Sequence, residues 1–387
     1  MRRIVKWTLR IVAVLAIVAI GIGIWKRDEI ARLMAVNSLF EPEHIVGNFS
    51  NMDAAFLHTP VPRGDRPVMP LPGGAPMTLP EGTEDWIETR AVTSLLVLHH
   101  GEVVHESYHL GTTPDDRRIS WSMAKSFLSA LMGVVVAEGD IASLDDPVTR
   151  YAPALKGSAY DGATIRNVLQ MTSGVRFDED YLDYDSDINR MGRVLALGGT
   201  MDGFAAGLQD RDTPPGETWQ YVSIDTHVLG MIIRGATGRD IPGLLSEKII
   251  APLGLERDPY YITDGEDVAF VLGGLNLTTR DYARFGLMIE QMGQLDGKQV
   301  VPADWIAAST EPSAPTAPDR IGYGYQWWVP AGSEPGQFMA RGIYGQYIYI
   351  DQGADTVIVV TAADRAFRDT GVNESNIAMF RRLVDAL

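Results

Sequence analysis

The sequence predicts a mixed α/β (α+β) fold: one antiparallel sheet built from both ends of a body, flanked by helices, with a mostly helical region inserted at about 140–290. Three observations carry this expectation. Strand-forming runs lie early, at Val92 to His99 and Val103 to His109, around a turn at His100–Gly101. A second pair lies late, where Tyr347, Tyr349 and Val357 to Val360 flank the turn "DQGAD". Between them the pattern is helices and loops with frequent breakers such as "TPPGE" and "APLGLE". The 387 residues are 45% hydrophobic, ample for a sizeable core.

The N-terminus is basic, "MRRIVKWTLR", and then apolar and uncharged from Ile11 to Trp25. Trp7 to Leu9 lengthen the run if Arg10 snorkels to the interface. No A-x-A cleavage site follows, so residues 1–27 are expected to anchor an exported body in the inner membrane, with a cleaved leader and a periplasmic product as the alternative. The net charge is −17; without the six basic residues of positions 1–27, 27 bases face 50 acids, a body that repels nucleic acid. There are no cysteines, which excludes disulfides and thiolate chemistry.

Residues 28–58 show no clear pattern. Positions 59–82 hold seven of the 22 prolines and read as an extended connection, so 28–85 are expected to form an extension and linker before a body at 86–387. "NESNIAMFRRLVDAL" closes the chain as an amphipathic helix, with Asn373 or Ser375 as its cap.

"ISWSMAKSFLSALMGVVVAEGD" is an apolar helix ended by Gly139. At its start Ser122 and Lys125 form the only Ser-x-x-Lys of the chain. Three residues apart, they share a helix face. A serine there has backbone N–H groups able to stabilise an oxyanion, and a desolvated lysine can take its proton. "PPGETWQYVS" adds Tyr221 and Ser223 on a loop entering a helix; a tyrosine beside the pair can pass a proton to a leaving group. "ARGIYGQYIYID" adds Gly342 and Gly345 in a strand, which implies close backbone approach, with Ile343 as a second oxyanion N–H donor.

Together these elements resemble the serine β-lactamase and DD-peptidase superfamily, over roughly residues 86–387. Further phrases carry the likeness: "SLDDPVTRYAPAL", "TIRNVLQMTSGV", "GGLNLTTRDYARFG" and "GYGYQWWV". Within its class C-like branch the chain looks most like the 6-aminohexanoate-dimer hydrolases and related esterases, by Tyr-x-Ser, the "FDEDYLDYDSD" loop and "GIYGQY". The resemblance implies a β-lactamase-like fold and an acyl-enzyme. Ser122 would be nucleophile, Lys125 base, Tyr221 proton relay, and the N–H groups of Ser122 and Ile343 the oxyanion hole. Tyr181, on a mobile loop, Ser223, Asn276, Tyr344, Gly342 and Gly345 would lie on the substrate side. Where the family carries Lys-Thr-Gly, this chain has Ala340, Arg341 and Gly342, which favours ester or small-amide substrates over β-lactams. A DD-peptidase or weak β-lactamase acting on cell-wall peptides is the alternative, and a non-catalytic binding module the least favoured.

No cofactor or metal is expected. His99, His100, His105 and His109 cluster without a completing carboxylate. Asp183, Asp185 and Asp187 imitate a calcium loop, but Ile188 and Val194 occupy its glycine and glutamate positions, so the acidic loop reads as solvated. No Gly-x-Ser-x-Gly elbow occurs. The expected partners are a small ester, amide or peptide and the membrane.

Overall fold

A computed structural model describes residues 2–387. Its central element is a seven-stranded antiparallel sheet made of β1 (Val92–His99), β2 (Glu102–Tyr108), β3 (Gly322–Tyr323), β4 (Trp328–Val329), β5 (Gln337–Gly342), β6 (Gln346–Asp351) and β7 (Thr356–Ala362). Their order is β2-β1-β7-β6-β5-β4-β3, so the two chain ends meet where β1 pairs β7. Period-two alternation sends Leu96, Leu98, Ile348, Val357 and Val359 to one face and Leu95, Val97, Tyr347, Tyr349 and Ile358 to the other.

Helix α1 (Arg2–Trp25) is followed, after Lys26, by α2 (Arg27–Ser38). Within α1, 23 residues with mean hydropathy 2.3 are long and apolar enough to cross a membrane, at about 35 Å. The inserted region carries α3 (Ala124–Glu138), α4 (Asp187–Ala196), α5 (Ser223–Thr237) and α6 (Thr279–Glu290). α6 covers the inner face of the sheet; α7 (Val372–Asp385) covers the outer face with Phe380 and Leu383. α3 is buried from Ala124 to Val135, as its apolar run requires.

Three expectations are corrected. The extension does not stand apart: Leu39, Phe49, Met52 and Val61 belong to the main core, and His58–Pro60 pairs with Tyr260–Ile262 in a second, four-stranded sheet. The proline-rich segment lies along the β2 edge, where Val103 N–H donates to Pro72 O (2.7 Å) and Met77 N–H to Val104 O (3.0 Å). It thereby occupies an edge that would otherwise offer unpaired backbone groups. Finally, α7 starts at Val372 after Gly371, whose φ of 85° opens the helix, so neither Asn373 nor Ser375 is its cap.

Candidate active site

Ser122 does not lie in α3 itself. It sits in a 3₁₀ turn, Trp121–Met123, that runs directly into α3. The tight period of such a turn keeps i and i+3 nearly eclipsed, so Ser122 and Lys125 remain on one side. Trp121 has φ of 44°, a left-handed conformation that a bulky residue adopts only where the surroundings hold it. Phe40 and Phe49 of the extension and Tyr344 pack around its indole.

Lys125 is 1% exposed and donates to Leu272 O at 3.1 Å. Burial pushes its ammonium down to about 7, against the opposing pull of the Glu179 and Asp225 carboxylates. Its Nζ lies 5.4 Å from the centre of the Tyr221 ring. Tyr221 precedes α5, stacks on Trp328 at 5.0 Å, and lines the same cavity as Ser122. Burial raises its phenol further above its usual range than Ser122 and Arg341 lower it, so it stays protonated at neutral pH.

The hairpin β5–β6 brings the last strand motif to the serine. A Cβ on Gly342 would stand 2.6 Å from Ser120 O and 3.1 Å from Ser122 N. Only glycine allows this approach. Ile343 lies not in the strand but on the hairpin turn, with Tyr344 at φ 59° and Gly345 at φ 85°. Gly345 is thus a turn glycine, and a Cβ there would meet Ala362 Cβ at 2.9 Å. The buried Gln346 amide ties the turn down, donating to Tyr344 O (3.1 Å) and Ala362 O (2.7 Å) and accepting from Ala362 N–H (3.2 Å).

Two cavities meet at Ser122, and both include Tyr181 and Ile343. One is apolar and includes Leu39, Phe40, Met191, Phe270, Ser223 and Tyr344. The other is the more polar of the two and holds Tyr221, Arg341, Glu179, Arg368, Asp369 and Glu374. Asn276 belongs to neither: it is buried in the small sheet, with Nδ2 donating to Gly274 O at 2.9 Å.

The acidic loop is not uniformly solvated. Glu179 turns inward, accepts from Ser223 N–H, from Ser223 Oγ (3.2 Å) and from Tyr181 OH (2.9 Å), and burial raises its carboxyl. Asp180 pairs with Arg368 at 2.7 Å and holds the loop to the far side of the polar cavity. Behind it, Asp225 accepts from Tyr160 OH (2.7 Å) and Ser173 Oγ (2.9 Å), and burial raises it to about 7. Glu179 sits among neighbouring acids and Asp225 in an apolar helix, and neither shows a sequence signature. His105 and His109 share a face as expected, each 3.0 Å from Ser107 Oγ.

The arrangement of helix-start serine, buried lysine, loop tyrosine and apposed strand agrees with the comparison to known families: a model described as Beta-lactamase matches residues 87–378. The chain belongs to the beta-lactamase family. Its relatives in that family include the 6-aminohexanoate-dimer hydrolase of Paenarthrobacter ureafaciens, 33% identical over 291 residues, 71% of this chain and 74% of that protein. Esterase EstB of Burkholderia gladioli is 28% identical over 200 residues, 43% of this chain and 46% of that one. A Bacillus anthracis structure provisionally named a 6-aminohexanoate-dimer hydrolase superposes with a TM-score of 0.79 at 24% identity, over 89% of this chain and 95% of that one, and shares the fold. The family and its hydrolase and esterase members make this chain a serine hydrolase.

Proposed function

We propose that the protein cleaves an ester or small amide through an acyl-enzyme on Ser122. The observation that carries this reading is the buried Lys125, pushed down to about 7, with its Nζ 5.4 Å from the centre of the Tyr221 ring and with Ser122 and Tyr221 lining one cavity. Ser122 Oγ attacks the carbonyl carbon as Lys125 takes its proton. The N–H groups of Ser122 and Ile343 receive the oxyanion, and the closeness of Gly342 to Ser122 N supports that pairing. Tyr221, kept protonated, donates to the leaving oxygen or nitrogen and is reprotonated from Lys125. Water then attacks the acyl-enzyme, its proton returns to Ser122, and the carboxylic acid leaves. No metal or cofactor takes part in this scheme.

The N-terminal helix supports anchoring in the membrane with the body outside the cytoplasm, since its flank is basic and its span sufficient. Arg341, in the polar cavity with its guanidinium 5.3 Å from the Trp328 ring centre, favours a second reading in which a substrate carboxylate is gripped, as a cell-wall peptide or β-lactam would present.

Hydrolysis of p-nitrophenyl acetate and labelling by a fluorophosphonate probe test the scheme. Both are expected to vanish in Ser122→Ala; turnover that survives the substitution sinks it. Nitrocefin and a fluorescent penicillin test the second reading, which requires Ser122-dependent cleavage or a stable adduct.

A further inference from the structure

The two cavities at Ser122 differ in chemistry, and the mechanism decides which part of a substrate enters each. The leaving group must reach the proton on Tyr221, and Tyr221 lines the polar cavity but not the apolar one. The acyl part must therefore extend from Ser122 to the other side, into the apolar cavity. There the walls are Val36 and Leu39 from the α2 region, Phe40, Ile188 and Leu195 from one face of α4, and Phe270. The leaving side carries Arg341, Arg368, Asp369 and Glu374, which suit a polar alcohol or amine.

We infer that the apolar cavity is an acyl-chain site, and that the substrates are esters of medium-chain fatty acids with polar alcohols. This rests on the hydrolase reading above and deepens it. In acylation the ester C–O bond breaks, the Oγ–C bond forms, and the serine proton ends on the departing alcohol. Water then releases the fatty acid. The N-terminal extension thereby acquires a role in substrate binding. α2 packs on α4, with Arg32 Nε donating to Ala196 O at 3.0 Å, and the residues at its end close the cavity. Because α2 follows α1 after a single residue, the cavity wall lies within one length of α2, about 18 Å, of the membrane-length helix. Esters drawn from a lipid surface would reach it by a short path.

The full-length enzyme is assayed on p-nitrophenyl acetate, butyrate, hexanoate and octanoate, with the Ser122→Ala rate subtracted. If each buried methylene acts through burial alone, kcat/KM rises about fourfold per methylene, on the order of 100-fold from butyrate to octanoate. Ethyl to hexyl acetates, followed by pH-stat, should show no such rise. Gly192 offers a clean block: it lies in α4, lines the cavity, and a Cβ there meets no atom within 4 Å. Gly192→Phe is expected to lower the octanoate-to-butyrate ratio at least tenfold, and Gly192→Ala to keep it. Val36→Trp fills the cavity from the opposite wall and serves if the first variant does not fold. Ser122-dependent acetate turnover with a flat acyl series, or a rise confined to the alcohol series, overturns the acyl site and leaves the hydrolase reading standing. Absence of any Ser122-dependent turnover overturns the hydrolase reading itself.

Discussion

Replacing Gly342 by alanine tests the oxyanion geometry more sharply than any side-chain deletion. The new Cβ would stand 2.6 Å from Ser120 O, whereas ordinary contact begins at 3.4 Å. The gap can open only if β5 and the Ser120–Ser122 segment separate by about 0.8 Å. Neither is free to yield: Ser120 N–H is bonded to Leu275 O at 2.8 Å, and β5 is paired along its length with β6. A further contact, 3.1 Å to Gln346 Cβ, closes the remaining direction. A shift near 1 Å at a reacting centre costs on the order of 100-fold, and loss of one oxyanion donor costs 10²–10³-fold. Overpacking adds about 1–3 kcal/mol of instability. The variant is compared with the wild type in kcat/KM on p-nitrophenyl acetate, with thermal unfolding to confirm that it is folded. A loss near 100-fold, most of it in kcat, is expected. A folded Gly342→Ala enzyme within threefold of wild type would show that the strand and the serine loop do not form the hole together.

Other outcomes follow from the same geometry. In the proposed mechanism Lys125 acts only when neutral, and burial has pushed it down to about 7, so kcat/KM should rise with pH through about 7 and then level. The Glu179 charge holds that value up, so Glu179→Gln should move the rising limb to lower pH; an unmoved or more alkaline limb refutes the assignment. Gln346→Leu removes the amide's bonds to Ala362 O and Ala362 N–H, while Tyr344 O keeps the Asp364 N–H, and chemical denaturation should show a loss of roughly 2 kcal/mol. A stability within 0.5 kcal/mol of wild type would refute that role. Removal of residues 1–26, which keeps α2, should shift activity from the membrane pellet to the supernatant. If the protein expressed from the whole sequence is found in the supernatant with its N-terminus near Arg27, the segment is a cleaved leader.

Local patterns made much of the fold readable. β1 runs from Val92 to His99, where its apolar run meets the turn at His100–Gly101, and "DQGAD" turns β6 into β7 because turn chemistry is local. Ser122, Lys125 and Tyr221 were legible as motifs because their spacing and neighbours carry the family pattern. Gly342 was legible as a close approach, while Gly345 looked alike in sequence and proved to be a turn residue. Asn276 was carried by likeness alone; its Nδ2 donates to Gly274 O, and its Oδ1 is buried without a partner.

The sequence by itself determined the sheet built from two ends and the buried helix behind the serine, and it offered Ser122, Lys125 and Tyr221 as candidates, since each depends on periodicity or short spacing. Tertiary structure alone decided the rest. Glu179 becomes a partner of Ser223 and an influence on Lys125 only because its loop folds inward, across 44 residues of chain. Arg341 stands in the polar cavity because β5 abuts β4. Residues 28–58, patternless as a string, form a wall of the apolar cavity, because their packing against α4 and Tyr344 is set by residues far away in the chain. Burial, which moves the lysine to a useful range, is a property of the packed molecule and of no residue taken alone.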